Sequence, residues 1–324
     1  MMVRRTLQSA LAGLIAVLAV SVWAQGYPAK PVRYLVAFSA GSGADTLGRI
    51  VAGGLAQVFG QQVVVDNRTG AAGNIGAEIA AESPPDGYTL FQASQTHATN
   101  ASLYSNLSYD LVRDFAPVML LATSPSVVVV HPSLPARSIG ELVKLAKARP
   151  GALNYSSTGA GSATFLAGEM FKAQAGVDLL HVPYRGGGES LTAVLTGEVS
   201  VYFAPLAPTL PLIQQGRVRA LAVTTARRLP FLPEYPTVVE SGYPGYEIGN
   251  WYGLVVPART SREIISAVRN AAVSAMNNPG VNKRLADLGY VIIGSQPEEF
   301  AAHIKSEIEK LGNIIRRVGA SAVN

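Results

Sequence analysis

Apolar and polar positions fall along the chain in blocks that predict strands feeding into helices. Arg33 to Phe38 is a compact apolar run that reads as a buried strand, the loop from Ser39 to Ala44 follows, and Asp45 opens a helix. Leu47, Ile50, Val51, Leu55 and Val58 recur at helical spacing until Gly60 ends the helix. Val63-Val64-Val65 predicts a second strand, the loop from Asn67 to Gly73 leads into another helix, and the turn Pro84-Pro-Asp-Gly87 precedes a strand from Tyr88 to Phe91. Ser138-Ile-Gly-Glu141 reads as a capping box whose helix stops at Pro150-Gly151. Asn154 to Ser157 is a short strand that runs through Thr158 to Ser162 into a further helix. Gly197 to Phe203 and Arg219 to Thr225 carry strand signals, and Leu229 to Gly249 looks like a surface excursion. Ser295-Gln-Pro-Glu298 caps a last helix with the stripe Phe300, Ile304, Ile308, Leu311 and Ile315.

Strands alternating with helices predict an α/β fold with largely parallel sheets, in which ligands sit beyond the carboxyl ends of the strands. The first residues change the picture of what is retained. Arg4 and Arg5, the apolar stretch from Leu11 to Val20 and the small residues Val22 and Ala24 read as a signal peptide over 1–24. The apolar run is short against the ~20 residues a membrane span needs. Export of this kind places the mature chain in a periplasm. The formal charge of +5 falls to +3 once Arg4 and Arg5 are removed, and no basic run suggests nucleic acid. With no cysteine, disulfides and thiolate chemistry are excluded. A hydrophobic share of 48% supplies enough apolar surface for two cores, and the roughly 300 remaining residues exceed what one core holds.

Enzyme signatures are missing. There is no Gly-x-Ser-x-Gly elbow, Ser-x-x-Lys or His-Glu-x-x-His, and His97, His131, His181 and His303 lack metal-ligand spacing. The segment Gly41 to Thr46 has two glycines of a dinucleotide fingerprint but Thr in place of the third, so no cofactor is implied. The informative feature is a pair of glycine- and serine-rich loops, Ser39 to Gly43 and Thr158 to Ser162, each between a strand and a helix. Glycines let backbone approach a ligand, and helix N-termini present unpaired N–H groups at the positive end of the dipole. Together they make a carboxylate site that needs no arginine, with Ser42, Thr158 and Ser162 as hydroxyl donors. One such loop is an ordinary α/β turn; two of them in different lobes point to a shared site. Asp45 falls in the first helical turn, where the dipole stabilises a carboxylate. Thr96 and His97 follow a strand at the expected cleft, or His97 is a satisfied histidine at a strand end. Arg185 is the only cation near a cleft loop, as a ligand contact or as a tether.

These loops, in this order, resemble the Bug family of extracytoplasmic solute receptors, which serve tripartite tricarboxylate transporters. The resemblance runs from Tyr27-Pro-Ala-Lys-Pro31 and Ala40-Gly-Ser-Gly-Ala-Asp45 through Val65-Asp-Asn-Arg68, Gly70-Ala-Ala-Gly-Asn-Ile-Gly76 and Pro85-Asp-Gly-Tyr-Thr-Leu90. It continues with Asp114-Phe-Ala-Pro-Val118, Gly159-Ala-Gly-Ser162, His181-Val-Pro-Tyr-Arg-Gly186, Leu221-Ala-Val-Thr224 and Trp251-Tyr-Gly-Leu254. It implies a type II periplasmic-binding-protein-like fold, two α/β lobes joined by a hinge with the ligand cleft between them. One lobe would comprise 25–126 plus 249–324, and the other 127–248. The implied ligand contacts are Ala40, Gly41, Ser42, Gly43, Asp45, Thr96, His97, Thr158, Gly159, Gly161, Ser162, Phe165, Arg185 and Ala204, with neither metal nor catalytic group. Two departures bear on the ligand: relatives commonly carry histidine where Phe165 stands, and Ser-Ala-Pro where this chain has Gly187-Gly-Glu189. An aromatic ring and an extra acid near the cleft would favour a monocarboxylate or amino-bearing ligand over citrate, unless Phe165 packs under its helix and Glu189 stabilises a helix start.

The expectation is a monomeric periplasmic receptor that closes around a small organic acid and presents it to membrane permease subunits. The alternatives are a sensory binding module that signals to a partner protein, and a hydrolase or lyase with an unrecognised site.

Overall fold

The computed structural model describes residues 26–229 and 231–318; the expected signal peptide over 1–24 lies outside the described residues. Among the described residues no helix is long and apolar enough to cross a membrane.

The first strand, β1 (Val32–Val36), is fully apolar apart from Arg33 because it lies inside a sheet, between β2 (Val63–Asn67) and β3 (Thr89–Ser94), parallel to both. Two long strands follow in the pairing, β4 (Phe115–Val130) and β9 (Gly249–Pro257), with β9 antiparallel to β3. In the other half, β5 (Asn154–Ser157) runs parallel to both β6 (Leu180–Pro183) and β7 (Val201–Pro205), and β8 (Arg219–Val223) pairs with β4. The order is therefore β2-β1-β3-β9-β4 in one half and β6-β5-β7-β4-β8 in the other, the same pattern used twice. The short β10 (Val291–Ile292) pairs with β4. Strand β4 changes partner midway: Phe115 to Pro125 pairs with β9, and Ser126 to Val130 with β7 and β8. This repeated layout is the two-lobed α/β architecture, with β4 and β9 crossing between the lobes.

Ten helices flank the strands among the described residues: α1 (Gly43–Phe59), α2 (Asn74–Ala81), α3 (Gln95–Leu103), α4 (Ile139–Ala148), α5 (Ala163–Ala175), α6 (Gly187–Leu195), α7 (Leu206–Gln214), α8 (Arg262–Asn277), α9 (Pro279–Asp287) and α10 (Pro297–Val318). Gly60 ends α1 in the left-handed region at φ 64°. Of the predicted α1 stripe, Leu47, Ile50, Val51 and Leu55 are buried while Val58, in the last turn, is 44% exposed. The capping box at α4 is rearranged: Ser138 caps the Glu141 N–H, but the Glu141 carboxylate accepts from the Arg137 N–H. The stretch from Leu229 to Gly249 is no mere excursion. It buries Val238, Tyr246 and Ile248, and the Tyr246 hydroxyl donates to the Ala167 carbonyl at 2.7 Å.

Candidate functional site

Beyond the carboxyl end of β1, the chain turns at Gly41 (φ 78°) and enters α1 with Ser42 as N-cap. Beyond β5 it turns at Gly159 and Gly161 (φ 106° and 82°) and enters α5 with Ser162 as N-cap. The two starts are built alike: Ser42 Oγ accepts from the Asp45 N–H at 3.2 Å, and Ser162 Oγ from the Phe165 N–H at 3.1 Å. Each cap satisfies one first-turn donor and leaves the two preceding N–H groups, of Gly43 and Ala44 and of Ala163 and Thr164, outside the intrahelical ladder.

All four of those residues line one cavity of about 40 Å³ between the halves. On the measure by which a water needs ~10–15 Å³, it holds a few waters or a small acid. Three more helix starts reach it: α3 through Ser94 and Thr96, α6 through Gly187, and α7 through Pro205, Pro208 and Thr209. Phe38, Thr158, Leu191, Tyr202, Asn250 and Tyr252 complete the wall. No lining residue is charged. Five helix N-termini thus supply positive potential to a wall whose side chains are apolar, hydroxyl or amide, which suits an anion held by backbone donors. Tyr202 is 1% exposed and its hydroxyl has no partner, so it stands ready to bond an occupant.

The halves are in contact around this cavity. A Cβ on Gly186 would lie 3.0 Å from Ser39 Cβ and closer still to its Oγ, and one on Gly43 would lie 3.4 Å from Pro205 Cβ. A Cβ on Gly161 would meet Leu103 at 2.6 Å and Asn100 Oδ1 at 2.8 Å, whereas one on Gly41 would meet open space. Gly161 therefore matters as a point of close approach between halves, and Gly41 as a turn.

Of the residues expected at the site, the structure brings Ser42, Gly43, Thr96 and Thr158 to the cavity wall. Asp45 stands behind it: its carboxylate accepts from the Gly41 N–H at 2.9 Å, Arg49 Nε at 3.0 Å and Asn67 Nδ2 at 2.9 Å. Burial opposes its ionisation, but the bonds from Arg49, Gly41 and Asn67 outweigh this and hold the carboxyl below its usual range. Asp45 thus braces the first loop and uses up the Gly41 donor. Ser162 is equally engaged, with Thr164 Oγ1 at 2.9 Å from its hydroxyl. His97 is fully buried between Phe38 and Phe91, with Nδ1 accepting the Ser94 N–H at 3.0 Å and Nε2 facing Gly73 without a partner in bonding geometry. Burial lowers its pKa to about 4, which keeps it neutral.

Ala40 and Arg185 are exposed, Gly159 is half-buried in its turn, and Ala204 is buried in β7 beside the lining residue Pro205. The Phe165 ring packs on His181, centroids 4.9 Å apart, and the exposed Glu189 accepts the Arg185 N–H at 3.1 Å. Neither lines the cavity, so the argument from them to a monocarboxylate loses its footing. Among the lining residues that sequence reasoning missed, Ser94, Thr164, Gly187, Tyr202, Thr209, Asn250 and Tyr252 come mostly from helix starts after β3, β6 and β7 and from the crossing strand β9. Ala44, Ala163 and Thr164 were within reach, as the residues just after the two loops singled out in the sequence.

Residues 47–320 match the tripartite tricarboxylate transporter family receptor model, TctC. The chain is 32% identical to protein BugT of Bordetella pertussis over 305 residues, 94% of each chain. It superimposes on Rhodopseudomonas palustris Rpa4515 with adipate at TM-score 0.88 and 34% identity, covering 90% of this chain and 98% of that one. With MatC of the same organism, solved with bound malate, the TM-score is 0.85 and the identity 28%, covering 89% and 100%. The family and these neighbours are solute-binding proteins, not enzymes.

Proposed function

The chain belongs to the tripartite tricarboxylate transporter receptor family, and on that premise we propose that it captures a small organic carboxylate in the periplasm and delivers it to the permease of a tripartite tricarboxylate-type transporter. The observation that carries this reading is the convergence of five helix N-termini, two of them serine-capped in the same way, on one cavity without a charged side chain. The ligand carboxylate bridges the free N–H groups of Gly43 and Ala44 on one side and of Ala163 and Thr164 on the other. Ser42, Thr158 and the Tyr202 hydroxyl complete its hydrogen bonds. Affinity comes from donors already oriented by their helices and strengthened by loss of water on closure. Lobes 25–126 plus 249–324 and 127–248 move as units about β4 and β9, since β4 exchanges one set of partners for another between Pro125 and Ser126. Adipate and malate, bound by the two structural neighbours, head the candidate ligands.

The test is native mass spectrometry of what co-purifies, followed by a thermal-shift panel of malate, adipate, succinate, citrate and benzoate with malamide and adipamide as neutral controls. At one hundred times its dissociation constant a true ligand adds ~2.7 kcal/mol of stability. Stabilisation by at least one acid and not by its diamide supports the reading; equal stabilisation by the diamide, or by none of the panel together with a non-acidic co-purifying molecule, rejects it.

A further inference from the structure

A second cavity, of about 300 Å³, lies behind the crossing strand β9, whose Asn250 borders both cavities. Successive residues of a strand face opposite ways, and here Tyr252 lines the carboxylate cavity while Trp251 lines the second one. Its walls come from both crossing strands (Ser124 and Trp251 among them), from α10, and from the segment before β9. The apolar part is Leu229, Ile248, Trp251, Val291, Leu311 and Ile314.

Its polar groups include two carboxylates and a free amide oxygen, beside Asn250 and His303, whose buried Nε2 has no partner and whose ring is kept toward the neutral form by burial. Gln95 is 2% exposed, lines this cavity, and has a buried Oε1 with no partner. Glu307 is 9% exposed, with one carboxylate oxygen accepting from Trp251 Nε1 and the other from Lys310 Nζ, both at 3.2 Å. The Trp251 donor is therefore used, and the Thr225 hydroxyl is used too, donating to the Arg227 carbonyl at 2.6 Å. Glu247 adds a second carboxylate at the rim, against the single cation Lys310. Lys310 is 51% exposed, and a half-exposed ion pair of this kind holds weakly, so Lys310 can yield its place on Glu307 to another cation.

We propose that this cavity binds a small organic ammonium: the cationic head on Glu307 and Gln95 Oε1, the apolar body against Trp251, Ile248 and Ile314. The volume is at the lower end of the ~300–1,000 Å³ of small-molecule sites. A carboxylate would meet Glu247 and Glu307, and an uncharged donor could bond Gln95 Oε1 but would bring no charge to Glu307.

The test is calorimetric titration of the purified protein with benzylammonium and n-butylammonium chloride, and with benzoate and benzyl alcohol as isosteres. The expected result is 1:1 binding of at least one ammonium, with both isosteres at least tenfold weaker. Glu307→Gln should weaken that ammonium at least tenfold, and Ile314→Trp, which fills the apolar end, should abolish it. Circular dichroism melts establish that each variant is folded; if Glu307→Gln is not, Ile314→Trp decides. Binding of neither ammonium, benzyl alcohol or benzoate binding as tightly as benzylammonium, or unchanged affinity in the folded variants would overturn the proposal.

Discussion

Gly186→Ala isolates closure from every other property of the site. Gly186 has φ −167°, extended backbone that alanine also adopts, so the substitution introduces no backbone strain. The new methyl would sit 3.0 Å from Ser39 Cβ and nearer to its Oγ, across the junction between halves. Ordinary carbon contacts lie at ~3.5–4.0 Å, so the jaws must part by roughly 0.5–1 Å there, at an overpacking cost of ~1–3 kcal/mol. Only the closed conformer bears this cost, so it appears as lost affinity, roughly 5- to 150-fold at 1.4 kcal/mol per tenfold. Gly186 is also the N-cap of α6, where alanine is poorer by about 1 kcal/mol, but that loss weighs equally on open and closed forms and leaves affinity untouched. The assay is calorimetric titration with the tightest acid of the panel, on wild type, Gly186→Ala, Ser39→Gly and the double variant. Ser39→Gly removes the atoms that clash and should restore most of the affinity, a coupling that a double-mutant cycle measures. Wild-type affinity in Gly186→Ala, or no rescue in the double variant, would refute the view that binding requires this contact.

Two further outcomes follow from the same geometry. Ser42→Ala and Ser162→Ala each remove an N-cap and should lower unfolding stability by about 1 kcal/mol in urea titrations, but only Ser42 lines the cavity, so Ser42→Ala should also lose at least fivefold in affinity and Ser162→Ala clearly less; equal affinity losses would contradict this separation. His97, with its pKa lowered to about 4 by burial, binds its proton more readily in the unfolded chain, so the stability linked to it is complete above pH 6.5 and is lost as pH falls toward 4. The loss should reach roughly 2.5 kcal/mol by pH 4.5. Burial also lowers the pKa of His181 and His303, so the measure is the difference between wild type and His97→Asn at pH 7.5 and 4.5, and identical pH dependence in the two would refute the assignment.

The strand-loop-helix units around Ser42 and Ser162 were legible because each signal is local: a short strand, a loop of glycine and serine, and a helix after it; the two serines were read as hydroxyl donors and prove to cap their helices. Strand β4 was not, since Pro117, Ser124 and Pro125 break any simple period in a segment buried by partners more than 70 residues away. Tyr202, Asn250 and Tyr252 reach the cavity only because β4 brings β7 and β9 alongside, and no local pattern announces that pairing. Asp45 and His97 show the converse. Local placement put both near a cleft, but whether a polar group faces ligand or its own loop depends on what fills the next few ångströms. For Asp45 these are Gly41, Arg49 and Asn67; for His97 they are two aromatic rings and the Ser94 backbone. Phe165 and Glu189 carry the same lesson, for helical spacing fixes a side chain's direction relative to its own helix and not relative to the opposite lobe.

The most direct measurement is a crystal structure of the protein with the tightest acid of the panel bound. The account predicts one ligand carboxylate within hydrogen-bond reach, ~2.7–3.2 Å, of the N–H groups of Gly43 or Ala44 and of Ala163 or Thr164, with no arginine or lysine in contact. A carboxylate paired with Arg185 or with Lys310, or seated in the cavity behind β9, would contradict it.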